Sequence, residues 1–169
     1  MKDCLKIISA DMGNNLYEMY QDIPTNEVGS TNVFFNLSST DFYEKIDLLK
    51  KEEDNINQEI NTCKIDIYFV NNKPIGEVGI RTTLNDFWCN KGSQIFYKIR
   101  KSERKKGYGT RMLELALIEC RKLGFQKVRI NCDDNNVASK KVIEKNGGVI
   151  DISSYKTSSG YSSSFIINL

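Results

Sequence analysis

The chain has 169 residues, 40% of them apolar and 27% charged, with a formal net charge of +2, and this length and composition predict one soluble globular domain. It contains no histidine, which excludes an imidazole base, as in Ser-His-Asp catalysis, and any histidine-ligated metal. The small net charge hides an asymmetry, because residues 1–60 carry 5 Lys/Arg against 12 Asp/Glu and residues 98–145 carry 14 against 6. The basic segment indicates an anionic partner: a nucleic acid, a membrane or a phosphorylated cofactor.

The cysteines and the first residues of the chain favour a cytoplasmic protein. The five cysteines form no Cys-x-x-Cys pair, which argues against a disulfide framework or a thiolate zinc site and for free thiols in a reducing compartment. The first residues lack the apolar segment of a secretory signal, and no apolar stretch approaches the ~20 residues of a membrane-spanning helix. We therefore expect a cytoplasmic protein with no metal and no membrane partner.

Hydrophobic periodicity predicts alternating strands and helices within a single domain at residues 1–169. Apolar residues alternate over 64–70, whereas their spacing is helical over 109–123. Residues 93–132 thus form a strand–helix–strand unit of a mixed α/β layer, and a Ser/Gly-rich turn joins the last two strands. The predicted strands are 5–10, 64–70, 75–83, 93–100, 126–132, 149–155 and 165–169, and the predicted helices are 12–20, a capped helix from 41, 109–123 and 138–145.

A glycine-rich basic turn between a strand and a helix is the most informative segment. Gly107 and Gly109 let the backbone turn tightly and expose N–H groups, and the first turn of the next helix adds unpaired N–H donors and a positive dipole end. Such a turn suits a phosphate or pyrophosphate. It is no Walker loop, and Met112 breaks the dinucleotide fingerprint Gly-x-Gly-x-x-Gly. A solvated basic turn before a helix is the simpler alternative.

In its context this turn resembles the acetyl-CoA-binding motif of the GNAT N-acetyltransferase superfamily. The resemblance rests on Arg104–Gly109, on Cys132–Ser139 and on Ile143–Gly148, and it is dense over residues 64–150. The residues within these motifs resemble those of a bacterial subgroup of predicted acetyltransferases. The resemblance implies an α/β (α+β) GNAT fold: a mixed, mostly antiparallel sheet of about six to seven strands, with helices on both faces and a splayed strand pair that holds acetyl-CoA.

The resemblance also implies which residues hold the cofactor. The pyrophosphate lies on backbone N–H groups of the turn, and the pantetheine arm runs along Ile99. Asn136 contacts the cofactor from the start of the next helix, although a plain helix N-cap is an equal alternative for this residue. The cofactor-binding residues implied are Ile99, Arg100, Arg104, Lys105, Lys106, Gly107, Tyr108, Gly109, Thr110, Asn136 and Ser139.

The residues that would transfer protons depart from the family pattern. Many GNAT enzymes protonate the leaving thiolate with a Tyr seven residues after the helix-starting Asn, and that position is Ile143 here. Tyr97, Tyr155 or Ser139 could replace it, or no acid is needed, because a thiol with a pKa of ~8.5 is a fair leaving group.

With no histidine, the base must be a carboxylate, a water chain or solvent. Glu77 is the preferred candidate because it lies inside a strand, and the alternative is a solvent-facing Glu77 paired with Arg81. Asp86 is a second choice for the base. Cys132 should lie near the thioester, either as a small buried side chain or as a covalent acyl-cysteine.

These observations predict an acetyl-CoA-dependent N-acetyltransferase that acts on a small-molecule or peptide amine in a ternary complex, as a monomer or homodimer. The alternative is a catalytically silent acyl-CoA-binding sensor or interaction domain. A nucleic-acid partner is not expected, because the Phe and Tyr residues are not interleaved with the basic ones. If the acidic residues 1–60 pack near the acceptor cleft, they favour a cationic acceptor such as a polyamine, an aminoglycoside or a lysine side chain.

Overall fold

The computed structural model describes residues 2–25, 32–55, 63–82, 92–157 and 160–169. Two short 3-10 turns, Ala10–Met12 and Lys101–Glu103, connect longer elements. The strands are β1 Asp3–Ile7, β2 Cys63–Val70, β3 Lys73–Arg81, β4 Ile95–Ile99, β5 Lys127–Asp133, β6 Val149–Thr157 and β7 Gly160–Asn168, and the helices are α1 Asn14–Gln21, α2 Ser39–Asn55, α3 Tyr108–Lys122 and α4 Val137–Lys145.

The strands form two antiparallel sheets, one in the order β1-β2-β3-β4 and one in the order β5-β7-β6. They meet where the Gln94 N–H donates to the Arg129 carbonyl at 2.8 Å and the Asn131 N–H donates to Ser93 Oγ at 3.2 Å. Beyond this junction β4 and β5 pair no further, and a cavity lies between them. The splayed strand pair expected from the sequence is therefore present.

The two faces of the first sheet are covered by different helices. In β2, Tyr68 and Val70 pack in a core shared with α3 and α4, while Ile67 and Phe69 pack in a second core with α1 and α2. Because successive strand side chains point to opposite faces, a strand buried on both faces reads as a continuous apolar run. This confirms the mixed α/β fold with helices on both faces.

The ends of the chain differ from the sequence-based prediction. β1 spans Asp3–Ile7 rather than residues 5–10, because a 3-10 turn occupies Ala10–Met12. The prediction that a Ser/Gly-rich turn extends to residue 165 is wrong, since β7 already begins at Gly160 and buries three serines. Antiparallel pairing with β5 and β6 satisfies their backbone groups and overrides the local turn preference. Within the described ranges, no helix is long and apolar enough to cross a membrane.

Candidate functional site

A cavity of about 1290 Å³ occupies the gap between β4 and β5. Its walls come from β4, from the start of α3, from the end of β5, from α4 and from the β6–β7 hairpin. All but two of the predicted cofactor-binding residues border it. Those that line the cavity are Ile99, Arg104, Lys105, Gly107, Tyr108, Gly109, Thr110, Asn136 and Ser139.

The N-terminus of α3 forms one end of the cavity. Gly107 is the N-cap residue and has a φ of 82°, in the left-handed region that glycine adopts without strain. The first N–H groups of α3, those of Tyr108, Gly109 and Thr110, have no acceptor within the helix, and the Arg111 N–H is the one that reaches back to the Gly107 carbonyl, at 3.2 Å. The helix dipole adds positive potential, so this end is suited to a phosphate or pyrophosphate.

The side chains of two residues predicted to bind the cofactor are paired with carboxylates of the protein instead. Arg100 Nε donates to Asp22 Oδ2 at 2.9 Å, and Lys106 Nζ donates to Glu103 Oε2 at 2.7 Å. Neither Arg100 nor Lys106 lines the cavity. Hydrogen bonds from Lys106 and Lys73 hold the pKa of Glu103 below its usual range, so this cavity-lining carboxylate is ionised. Part of the basic charge counted in the sequence is therefore neutralised within the protein.

Tyr97 and Ser139 connect β4 to α4 across the cavity wall. Their side-chain oxygens lie 2.8 Å apart, and the Ser139 N–H donates to Asn136 Oδ1 at 3.1 Å. Asn136 is therefore a helix N-cap, as one alternative held, and it borders the cavity as well. Burial raises the pKa of Tyr97 well above its ordinary value, so the phenol keeps its proton at neutral pH.

Cys132 is buried in the wall of the cavity, and its thiol lies 3.6 Å from the Asn136 carbonyl. Desolvation raises the pKa of this thiol, and a neutral thiol is a poor nucleophile. Ile143 packs in the core and does not line the cavity. Tyr155 does line it, whereas Asp86 lies outside the described residues.

Glu77 fits neither arrangement expected from the sequence. It is only 3% exposed, so it is not a solvent-facing strand residue, and it does not line the cavity. The Tyr20 hydroxyl donates to Glu77 Oε2, and Lys98 Nζ donates to Glu77 Oε1 at 3.0 Å. Burial and the adjacent Glu77 charge raise the pKa of Tyr20, which keeps this phenol protonated. The carboxylate anchors a lysine that does reach the cavity.

The cavity also contains charged and polar residues that the sequence did not single out. Asp133 lies at the end of β5, and its Oδ1 accepts a hydrogen bond from Ser162 Oγ at 2.9 Å. No residue of the described part of 1–60 lines the cavity, so the described residues of that acidic segment do not form its walls. The basic lining residues are Arg81, Lys98, Arg104, Lys105, Lys141, Lys145 and Lys156, and the acidic ones among the described residues are Glu103 and Asp133.

Comparisons with known proteins agree with this architecture. The family model described as acetyltransferase (GNAT) domain matches residues 10–149. The fold is similar to that of RimL, a ribosomal-protein alpha-N-acetyltransferase in complex with coenzyme A, with a TM-score of 0.76 and 14% identity over 100% of this chain and 95% of that one. It is also similar to aminoglycoside acetyltransferase AAC(6')-Ib in complex with coenzyme A (TM-score 0.70, 16% identity, 99% of this chain and 95% of that chain).

A third similar structure is that of a putative ribosomal-protein-serine acetyltransferase from Vibrio cholerae, with a TM-score of 0.68 and 16% identity over 100% of this chain and 95% of that one. At these identities the likeness concerns the fold alone. A search of curated proteins found no match.

Proposed function

The chain belongs to the acetyltransferase (GNAT) domain family, and from that premise we propose that it is an acetyl-CoA-dependent N-acetyltransferase of one domain. It transfers the acetyl group directly to a primary amine of a small molecule or peptide. The observation that carries this proposal is the cavity between the splayed strands β4 and β5, with the N-terminus of α3 at one end. The neighbours that hold coenzyme A share this fold.

The protein groups suited to the cofactor lie in the wall of the cavity. The backbone N–H groups from Gly107 to Thr110 would bind the pyrophosphate, and Arg104 and Lys105 add positive charge beside it. The pantetheine amides would continue toward the backbone of Ile99. The acetyl group would then lie near Tyr97 and Cys132, which both line the cavity.

Acetyl transfer requires a neutral amine beside the thioester. The amine nitrogen attacks the carbonyl carbon, the new C–N bond forms, and the C–S bond breaks with its electrons leaving on sulfur. Holding both reactants in this geometry can lower the barrier by up to ~7–11 kcal/mol. Glu103 is bound by two lysines, so Asp133 is the described cavity carboxylate that would accept the amine proton.

Tyr97 would donate a hydrogen bond to the departing sulfur. Because burial raises its pKa, the phenol stays protonated as the thiolate forms, and water can then protonate the thiolate. Glu77 would act indirectly, by holding Lys98. Cys132 keeps a structural role, since its thiol is neutral.

A substitution at the start of α3 tests this function. A Cβ atom at Gly109 would lie 3.4 Å from Val142 Cγ2 and 3.7 Å from Ile99 Cγ1, which is ordinary contact. Gly109→Ala should therefore bind acetyl-CoA almost normally. The larger Gly109→Val should raise the dissociation constant at least about tenfold, because each 1.4 kcal/mol lost to crowding weakens binding tenfold.

Calorimetry with acetyl-CoA and the release of free CoA thiol in the presence of an amine panel give the two readouts. We expect acetyl-CoA to bind in calorimetry and an amine to release free CoA thiol. Asp133→Asn should lose this amine-dependent thiol release. If acetyl-CoA binds but no amine releases CoA, the protein is the silent acyl-CoA-binding domain instead. Equal binding by Gly109→Val and Gly109→Ala would contradict the cofactor placement.

A further inference from the structure

Three consecutive serines on β7 are buried, and the hydroxyl of one of them has no hydrogen-bond partner in the part of the chain that the structure describes. Ser162 Oγ donates to Asp133 at 2.9 Å, and Ser163 Oγ donates to Asp134 at 2.6 Å. Ser164 is 2% exposed, yet its hydroxyl has no partner among the described residues. A buried hydroxyl without a partner is unfavourable. Ser164 is also one of the residues that line the cavity, so its unpartnered hydroxyl is a candidate contact for a molecule that binds there.

Two basic side chains flank one aromatic ring in the same cavity. The Arg81 guanidinium carbon lies 5.0 Å from the centroid of the Phe96 ring, and Lys98 Nζ lies 5.9 Å from the same centroid. All three residues line the cavity. Lys98 Nζ donates a hydrogen bond to Glu77, which is buried and does not line the cavity. The two cations are therefore fixed in position at the cavity wall.

Ser164 and Arg81 border the same end of the cavity, and the Phe96 ring links Arg81 to Lys98. Arg81 Nη1 donates to the Ser93 carbonyl at 2.6 Å, and Ser93 Oγ accepts from the Asn131 N–H at 3.2 Å. Asn131 is the register partner of Ser164 on β7. This chain of contacts puts Arg81 and Ser164 at the junction of the two sheets. The N-terminus of α3 lies at the other end of β4, so Arg81 and Ser164 are separate from the pyrophosphate site.

We propose that the amine acceptor also carries an anionic oxygen group, a carboxylate or a phosphate, which binds Arg81, Lys98 and the Ser164 hydroxyl. This inference rests on the proposed acetyltransferase function and names the acceptor class. Asp133, the proposed proton acceptor, follows Asn131 by two residues on the same face of β5, about 7 Å along the strand. The amine would lie beside Asp133 while the anionic group lies at the sheet junction.

An acceptor of this kind differs from the polyamine or aminoglycoside that the acidic segment 1–60 suggested. A polycation would place positive charge against Arg81 and against Lys98, whose charge Glu77 compensates in part, whereas an acid forms charge-assisted hydrogen bonds with them. The described walls of the cavity offer a polycation only two carboxylates, of which Glu103 is already bound by two lysines.

Matched acceptors test the proposal in the CoA-release assay. The probes are 4-aminobutyrate, its neutral amide 4-aminobutanamide, 3-aminopropylphosphonate and spermidine. We expect kcat/KM for at least one of the two acids to exceed that of the amide by about tenfold or more, the gain typical of hydrogen bonds between charged groups. The ratio of the two acids separates a carboxylate acceptor from a phosphate acceptor. A preference for spermidine or for the amide overturns the proposal.

Ser164→Ala and Ser163→Ala form a matched pair. Ser164→Ala removes an unpartnered hydroxyl, so its melting temperature should not fall, while KM for the preferred acid should rise about fivefold with kcat retained. Ser163→Ala loses a paired hydroxyl outside the cavity, so it should melt earlier with the acceptor KM unchanged. A lower melting temperature for Ser164→Ala with an unchanged KM would show that Ser164 is structural.

The failure of this inference is distinguishable from failure of the proposed function. If the amide or spermidine releases CoA and the acids do not, the protein is still an acetyltransferase, but its acceptor does not carry an anionic group. If no amine releases CoA, calorimetry of 4-aminobutyrate against 4-aminobutanamide on the CoA-loaded protein decides the inference. Tighter binding of the acid, abolished in Arg81→Gln, supports it, and equal binding of acid and amide overturns it.

Discussion

Replacement of Glu77 by Gln should destabilise the protein strongly, because Glu77 and Lys98 form a largely buried ion pair. Glu77 is 3% exposed and the Lys98 side chain is 16% exposed, with 3.0 Å between Glu77 Oε1 and Lys98 Nζ. Removing one partner of a buried pair costs about 3–5 kcal/mol, and the partial exposure of Lys98 puts this case near the lower value. For a chain of this size, about 3 kcal/mol lowers the melting temperature by roughly 6–12 °C.

Urea unfolding of Glu77→Gln, Lys98→Met and the double variant measures the effect. The double variant removes both charges, so it should be more stable than the sum of the single losses implies, by about 2 kcal/mol. Glu114→Gln is the control, since Glu114 pairs with Arg111 on the exposed surface and should change stability by less than about 1 kcal/mol. Additive losses, or a Glu77→Gln variant as stable as Glu114→Gln, would refute this account.

The pH dependence of catalysis separates an anchoring role from a basic one. If Glu77 anchors Lys98, the Glu77→Gln variant keeps the pH dependence of kcat of the parent protein. If Glu77 is instead the general base, kcat of the variant falls at neutral pH and the deficit shrinks at high pH. The second pattern would show that Glu77 acts as the general base.

Three further substitutions test the structure elsewhere. Gly76→Ala should be destabilising by several kcal/mol in urea unfolding, because its Cβ would overlap the Lys98 carbonyl oxygen of the neighbouring strand. Hydrogen bonds from Ser163 and Lys140 lower the pKa of Asp134 to about 2. The stability that this carboxylate contributes is therefore present above pH ~4 and lost between pH ~4 and 2. Asp134→Asn should flatten that part of the acid unfolding curve. Ile143→Tyr should lower the melting temperature without raising kcat, because Ile143 is fully buried in the core and does not line the cavity; a higher kcat would show that the side chain reaches the thioester.

Local patterns in the sequence were sufficient for the central part of the fold. The strand spacing of β2 and the helical spacing of α3 are periodic patterns of apolar residues, and such patterns are visible within a short stretch of sequence. Gly107 and Gly109 marked the start of α3 because a left-handed residue and exposed N–H groups are local properties of the chain. The cavity-lining residues of this turn could thus be named in advance.

The sequence was less informative where partners come from distant segments. Ser162 and Ser164 read as a turn, but pairing with β5 and β6 makes them buried strand residues. Glu77 read as a base or as a surface residue, since nothing local shows that Tyr20 and Lys98 meet its carboxylate.

The charge asymmetry of the chain shows the same division. The sequence by itself determined that residues 1–60 are acidic and residues 98–145 are basic, and that a basic glycine turn starts a helix. Only the tertiary structure decided that Asp3 binds Arg111 and Asp22 binds Arg100, and that seven of the described basic residues line the cavity. The physical reason is that an electrostatic interaction depends on the distance between charges in space. Folding sets that distance, by bringing β1 close to α3 and the end of α1 close to the end of β4, whereas the order of residues does not.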